Sequence, residues 1–330
     1  RPYLGHISAI STKGFPCQPF SDRGSKAGLL DRRGQLYREL VRLLSARRPA
    51  AFLFENVAGL VTMDGGARSA SVARKAYMDA AFTPGRTFAR IVEELSKCGY
   101  AVSWRVVSAK EWLPQQRERV YLVGFRRDLG VEMRWDGVRG GKPSSTLRDV
   151  LESPRSEAAV ACELSEAQWQ QLRGQLASFK RWPGAPPCSL SDRAVDLCAK
   201  APTLTSSYRH VSNYTSRYVC EELDGSLRDG AQRRPRFLSP RECARLMGFP
   251  DSFAVPPAHD THATAHFYRQ IGNAVCPPVV ESVAAEMLRL LEAERGGVGG
   301  QGWRAPAAAV EGVAPPAIVR ECDEEELVHA

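Results

Sequence analysis

The sequence has no apolar run near the roughly 20 residues that a membrane-spanning helix needs, so a soluble protein is expected. It has no Cys-x-x-Cys, although nine cysteines are scattered through its 330 residues. An odd number of unspaced thiols argues against a disulfide frame and for a reducing, intracellular compartment: cytoplasm in a prokaryote, nucleus in a eukaryote. No secretory signal is visible in the first residues, and the sequence begins at Arg1 and not at Met. No internal repeat is present, which excludes solenoids and propellers. Aromatic residues are only 8%, yet apolar residues reach 43% and charged residues 25%. That balance excludes a wholly disordered chain, a collagen-like fibre and a coiled coil, and it leaves room for a sizeable core.

Acidic residues are scarce in the first half. Residues 1–150 carry 26 basic and 14 acidic side chains, and residues 151–330 carry 19 and 23. Four of those acids form one run, Asp323 to Glu326. A basic half suits an anionic partner such as nucleic acid; an Arg-rich surface with no special partner is the competing reading.

Hydrophobic spacing organises the rest. Residues 6–12 suggest a short strand leading into a loop around Cys17. Leu36, Leu40, Leu43 and Leu44 recur at helical steps. Ala51-Phe52-Leu53-Phe54 is a continuous apolar run that reads as a buried parallel strand. Residues 62–86 are polar and small, a loop or insertion. Phe88, Ile91, Val92 and Leu95 mark a second amphipathic helix, with Gly99 placed to end it. Strands follow at Ala101–Val107 and Val120–Phe125. Alternating helix and strand predict an α/β sheet with helices on its faces. Ligands in such sheets sit at the carboxyl ends of strands, so Cys17 and Glu55 are expected to share one crevice.

From about 128 to 238 the pattern degrades into an irregular region. Ser239-Pro240-Arg241-Glu242 is a capping box with Pro at the first helical position. A last helix is expected from Pro277 to about Glu294, with a disordered tail over 295–330. His259, His262 and His266 have metal-like spacing, but no Cys- or Glu-bearing zinc motif surrounds them. A solvated loop is the expected reading, with no metal.

Taken alone, Cys17 would be a small buried hydrophobe, Glu55 a cap, and Arg117 and Arg119 surface ion-pair partners. Their surroundings change this. Gly14-Phe15-Pro16-Cys17-Gln18-Pro19-Phe20-Ser21 resembles the catalytic loop of the C5-cytosine-specific DNA methyltransferases. Glu55-Asn56-Val57 resembles that family's acid-bearing tripeptide, and Gln115-Gln116-Arg117-Glu118-Arg119 its Gln-x-Arg-x-Arg element. Thr203-Leu204 resembles a dipeptide of its recognition domain. The segment Arg241 to Pro250 and Gln270-Ile271-Gly272-Asn273-Ala274-Val275 are similar to its closing motifs. The six occur in the family's order.

The resemblance implies a Rossmann-like, S-adenosylmethionine-dependent methyltransferase sheet with a smaller, irregular target-recognition domain. The divisions are residues 1–150 for a partial catalytic domain, 151–238 for recognition and 239–294 for the return to the catalytic domain. It implies Cys17 as nucleophile, Glu55 as the acid toward the base N3, Arg119 on the base oxygen and Arg117 in support. Pro16, Asn273 and Val275 would touch the cofactor, and Gln18, Ser21, Thr203, Thr205 and Arg209 the DNA. Arg233, Arg234 and Arg236 would hold phosphate. The implied partner is double-stranded DNA, with no membrane.

One departure stands out. The family opens with a Phe-x-Gly-x-Gly loop for the cofactor, and only 13 residues precede Gly14 here. The chain is therefore expected to be N-terminally incomplete, a fragment. A second chain supplying the cofactor half is an alternative. So is a non-catalytic DNA-binding protein, or a tRNA cytosine methyltransferase of the same fold.

Overall fold

A computed structural model describes residues 18–20, 28–65, 83–141, 144–178, 188–211, 216–220 and 234–296. The strand expected at 6–12, most of the segment 62–86 and the tail lie outside the described residues. In chain order the elements are α1 (Tyr37–Arg47), β1 (Ala51–Val57), α2 (Arg86–Lys97), β2 (Tyr100–Ser108), β3 (Gln115–Gln116) and β4 (Glu118–Arg126). Then come α3 (Glu157–Val160), α4 (Glu166–Ser178), β5 (Ala201–Pro202), α5 (Pro240–Leu246), α6 (Thr261–Asn273) and α7 (Pro277–Gly296). Among the described residues no helix is long and apolar enough to cross a membrane.

The sheet order is β1-β4-β2, with a separate parallel pair β3-β5. The run Ala51–Phe54 is buried as expected, but its neighbour β4 runs antiparallel to it. The chain returns from β2 to β4 through residues 109–117, too short for the crossover that a parallel neighbour requires, so β4 must run back. Strands β1 and β2, joined through α2, point the same way with β4 between them. Among the described residues β1 has no second strand partner.

Alternation along the strands makes two cores. Phe52, Phe54, Val120 and Leu122 face a layer closed by Tyr37, Leu40 and Leu44 of α1 and Phe88, Ile91 and Leu95 of α2. Leu53, Tyr121, Val123 and Phe125 face the other way, into a larger core shared with α4, α5, α6 and α7. At Gly124 a Cβ would stand 2.1 Å from the ring of Phe52, its register partner, so that ring occupies the room a side chain would need. On α1 the buried stripe is Tyr37, Leu40 and Leu44. Leu36 and Leu43, expected on the buried face, lie beside that stripe and are exposed.

Three helices escaped the sequence reading, the single turn α3 and the longer α4 and α6. In α4 only Leu172 and Leu176 are buried, so its apolar period is weak. Its start is nonetheless marked: Ser165 N–H donates to Gln168 Oε1 and Gln168 N–H to Ser165 Oγ, a capping box. Helix α6 replaces the loop expected around the histidines. Asp260 accepts from Ala263 N–H at its start, and Phe267, Tyr268 and Ile271 anchor it in the core. The rings of His262 and His266 lie one turn apart, tilted by 53°, with centroids 4.8 Å apart.

Helix α5 begins as expected, with Ser239 and Glu242 capping each other. Glu242 also corrects the reading of Arg236 as a phosphate holder. Arg236 is buried and grips Glu242 with both terminal nitrogens, at 2.8 and 3.0 Å. The same carboxylate accepts from the N–H groups of Ser239 and Glu152, while Ser239 Oγ donates to the Glu152 carboxylate. Arg234 pairs with Glu166 at 2.9 Å, and Arg233 lies outside the described residues. Removing one partner of a buried pair strands the other charge. Arg236→Met is therefore expected to lower the unfolding free energy by about 3–5 kcal/mol, read from urea denaturation.

Candidate active site

The register of β1 and β4 sets the site. Glu55 lies opposite Tyr121 and Val57 opposite Arg119, so Glu55 and Arg119 are diagonal neighbours on one face. Arg119 Nε stands 3.1 Å from Glu55 Oε1, with the two side chains only 16% and 17% exposed. Burial pushes the Glu55 carboxyl above the ordinary carboxylate range. The positive charges of Arg119 and then Arg117 pull it back without cancelling that shift.

Arg117, two residues before Arg119, points inward and is almost fully buried. Nη1 donates to Leu204 O at 2.9 Å, and Nη2 donates to Gly272 O at 3.1 Å and Ala274 O at 2.7 Å. Its Nε has no hydrogen-bond partner among the described residues. Burial lowers this guanidinium to about 10, with the like charge of Arg119 as the second cause. Gln115 points the same way, accepting from Leu204 N–H and donating to Leu246 O. Gln115, Arg117 and Arg119 alternate with Gln116 and Glu118, and the break between β3 and β4 at residue 117 divides their tasks. Gln115 and Arg117 clamp three distant segments, and Arg119 faces Glu55.

The clamp fixes the end of α6. At Gly272 a Cβ would lie 2.3 Å from the backbone of Thr205, so only a glycine lets segment 204–206 approach this closely. With Gly272 O and Ala274 O held from beneath, Asn273 and Val275 are both exposed.

Two walls of the site were not anticipated. Tyr121 sits two residues past Arg119 on the same strand face, and burial pushes its hydroxyl well above the usual range. Cys276, directly after the last motif, is buried within the fields of Arg117, Arg119 and Glu55, and burial pushes its thiol up to about 11. Strand alternation pointed to Tyr121; nothing in the sequence pointed to Cys276.

The other expected residues divide. Pro16, Cys17 and Ser21 lie outside the described residues. Gln18 is exposed in a turn that ends on buried Phe20. Thr203 donates its hydroxyl to Gln116 O at 2.5 Å. The Thr205 hydroxyl pairs with Ser207 at 3.4 Å. Arg209 lies over the ring of Tyr268 and donates to Thr264 Oγ1. Glu55, Arg117 and Arg119 therefore gather at one strand end, while Thr203, Thr205 and Arg209 follow a segment that leads away along α6.

A lysine at 117 has a single ammonium for three carbonyls. Arg117→Lys is expected to speed amide hydrogen exchange across 204–206 and 271–276 while leaving β1 and β4 protected. Unchanged exchange in those two segments would show that they are held by something else.

The profile of the C-5 cytosine-specific DNA methylases matches residues 8–289. Type II methyltransferase M.DsaV of Dactylococcopsis salina is 33% identical over 282 residues, covering 84% of this chain and 68% of the relative. Type II methyltransferase M.NlaX of Neisseria lactamica is 33% identical over 287 residues, covering 86% of this chain and 77% of the relative. The DNA-cytosine methyltransferase of Escherichia coli K12 is 31% identical over 342 residues, covering 86% of this chain and 62% of its own length. The solved Dnmt2 methyltransferase of S. pombe shares the fold, with a TM-score of 0.54 at 19% identity over 86% of this chain and 77% of that one. Together with the Rossmann-like methyltransferase architecture, the 8–289 match places the chain in the C-5 cytosine-specific DNA methylase family.

Proposed function

We propose that the protein transfers a methyl group from S-adenosylmethionine to C5 of a cytosine flipped out of duplex DNA, through a covalent bond between Cys17 and C6 of the base. The observation that supports this most directly is the Glu55–Arg119 pair, a carboxyl raised toward protonation by burial and held beside a guanidinium at a strand end. C5 of cytosine is a poor nucleophile until a thiolate adds at C6, and Cys17 is the thiolate assigned to that step. The addition is eased when N3 receives a proton, which the raised Glu55 carboxyl is suited to give. Arg119 keeps Glu55 in place and offers further N–H groups to the base oxygen. Arg117 is buried behind them and acts by positioning. After transfer, loss of the C5 proton lets the C6–S bond break and returns the thiolate.

Membership of the family implies S-adenosylmethionine as methyl donor, which supplies an electrophilic methyl on a sulfonium. The exposed pair Asn273 and Val275, one polar and one apolar, fits an outer edge of its site because Arg117 fixes the carbonyls around them. Pro16, next to Cys17, is assigned to the same edge. A stacked cytosine cannot reach Glu55, so the base must leave the duplex. Residues 151–238 are assigned to target recognition, with Gln18, Ser21, Thr203 and Thr205 facing the DNA.

Incorporation of labelled methyl groups into duplex DNA tests this reading. Cys17→Ser is expected to fall to background, and retained turnover would sink the nucleophile assignment. Glu55→Gln is expected to lose about 10²–10⁴-fold in rate. Because the Glu55 carboxyl is raised, its protonated form persists above the ordinary carboxylate range and is lost as pH rises through the raised value. The wild-type kcat/KM profile should show that loss, and Glu55→Gln should not.

A further inference from the structure

A cavity of about 320 Å³ lies away from Glu55, between α4, α6 and the segment after Leu204. Gln168, Ser206, Arg209, His210, Thr261 and Tyr268 line it. Tyr268 is its buried floor, Arg209 and Gln168 are half-buried, and Ser206, His210 and Thr261 form an exposed rim. No carboxylate lines it. Asp260, the nearest acid in sequence, directs its side chain at Ala263 N–H.

We infer that this cavity holds a backbone phosphate of the DNA, flanking the cytosine that is methylated. The inference rests on the proposed DNA substrate. Arg209 is fixed in place: its guanidinium lies 5.4 Å from the centroid of the Tyr268 ring, and Nη1 donates to Thr264 Oγ1. Its other N–H groups have no partner among the described residues, so a pinned cation with uncommitted donors faces the cavity. The rim adds a Ser hydroxyl, a Thr hydroxyl and an imidazole. A set of donors around one cation, with no acid among them, is complementary to a phosphodiester oxygen.

Depth argues for phosphate over a base edge. Arg209 is folded back onto Tyr268 and recessed. Base edges lie about 8.5 Å deep in the major groove, where a recessed side chain cannot reach, whereas phosphates are the outermost groups of the duplex. The cavity is also placed to register the substrate. Thr264 lies eight residues before Gly272 on α6, about 12 Å along the helix at 1.5 Å per residue. A phosphate bound there is fixed relative to the corner that Arg117 clamps. On the next face of α6, His262, His266 and Arg269 are exposed, and Arg269 donates to His266 Nδ1, which extends the donor surface beyond the rim.

The test is binding of the full chain to a pool of randomised DNA duplexes at several salt concentrations, with the bound fraction sequenced. In Arg209→Gln the slope of log affinity against log salt is expected to shrink by about 0.9, the value for one lost phosphate contact, with sequence preference unchanged. A changed preference at one base position with an unchanged slope would make Arg209 a base reader and overturn the inference. Because Arg209→Gln also removes the Tyr268 contact, Gln168→Glu provides a second probe. It keeps the capping oxygen that Ser165 N–H uses, so the fold should melt as the wild type does, while a negative charge enters the cavity. Weaker binding to every duplex is expected; unchanged binding would overturn the inference. If the wild-type chain binds no duplex at all, the proposed substrate fails and the cavity assignment fails with it. If the wild type binds and both variants match it, only the cavity assignment falls.

Discussion

A buried positive charge governs this structure. Among the described residues Arg117 has no carboxylate in direct contact, and its two terminal nitrogens bond three backbone carbonyls, from residues 87 to 157 positions away in sequence. A guanidinium in that position is stable only while all three carbonyls face it, because a buried donor left unmade is more costly than a typical hydrogen bond is favourable. The turn at Leu204, the end of α6 and the bend at Ala274 are therefore set together. Gly272 follows from the same demand, since a side chain there would push Thr205 away and open the clamp.

The neighbouring residues work under an electrostatic tension. One carboxylate, Glu55, sits in the field of two cations, and simple charge counting would make it a stronger acid than usual. It is raised instead, because removal from water outweighs both attractions. The walls that cause this are the hydrocarbon of β4, the ring of Tyr121 and the Cys276 thiol, both of which burial keeps in their neutral forms. The acid and its guanidinium are thus held where burial raises the carboxyl's hold on a proton above the ordinary carboxylate's.

Much of this was legible in the residues. Phe88, Ile91 and Leu95 with Gly99 mark α2, whose following glycine takes a φ of +90°. Ser239-Pro240-Arg241-Glu242 marks α5. The motif order marked Glu55, Arg117 and Arg119, which do meet at one strand end. Strand direction was not legible, since a run of apolar residues is the same whichever way its neighbour runs. Helices α4 and α6 were hidden because each buries few apolar side chains for its length, and their N-caps, Ser165 and Asp260, were the available signal. Arg236 looked like one more member of a basic cluster. Only the fold shows that the capping-box Glu242 faces it from six residues away and buries it.

That capping box has an architectural consequence. Glu242 holds the backbone of Glu152 and of Ser239 at once, so the two ends of the stretch from 153 to 238 are tied side by side at one carboxylate. Closing a longer loop across fixed ends costs only about 0.6 kcal/mol for each doubling of its length. Ala201, which pairs with Gln115, and Leu204, which accepts from Arg117, anchor the stretch from within, so changes of length cost little only in the lengths of chain between such anchors. The Glu242 carboxylate and the Arg117 guanidinium together therefore set where the stretch can change length and where it cannot.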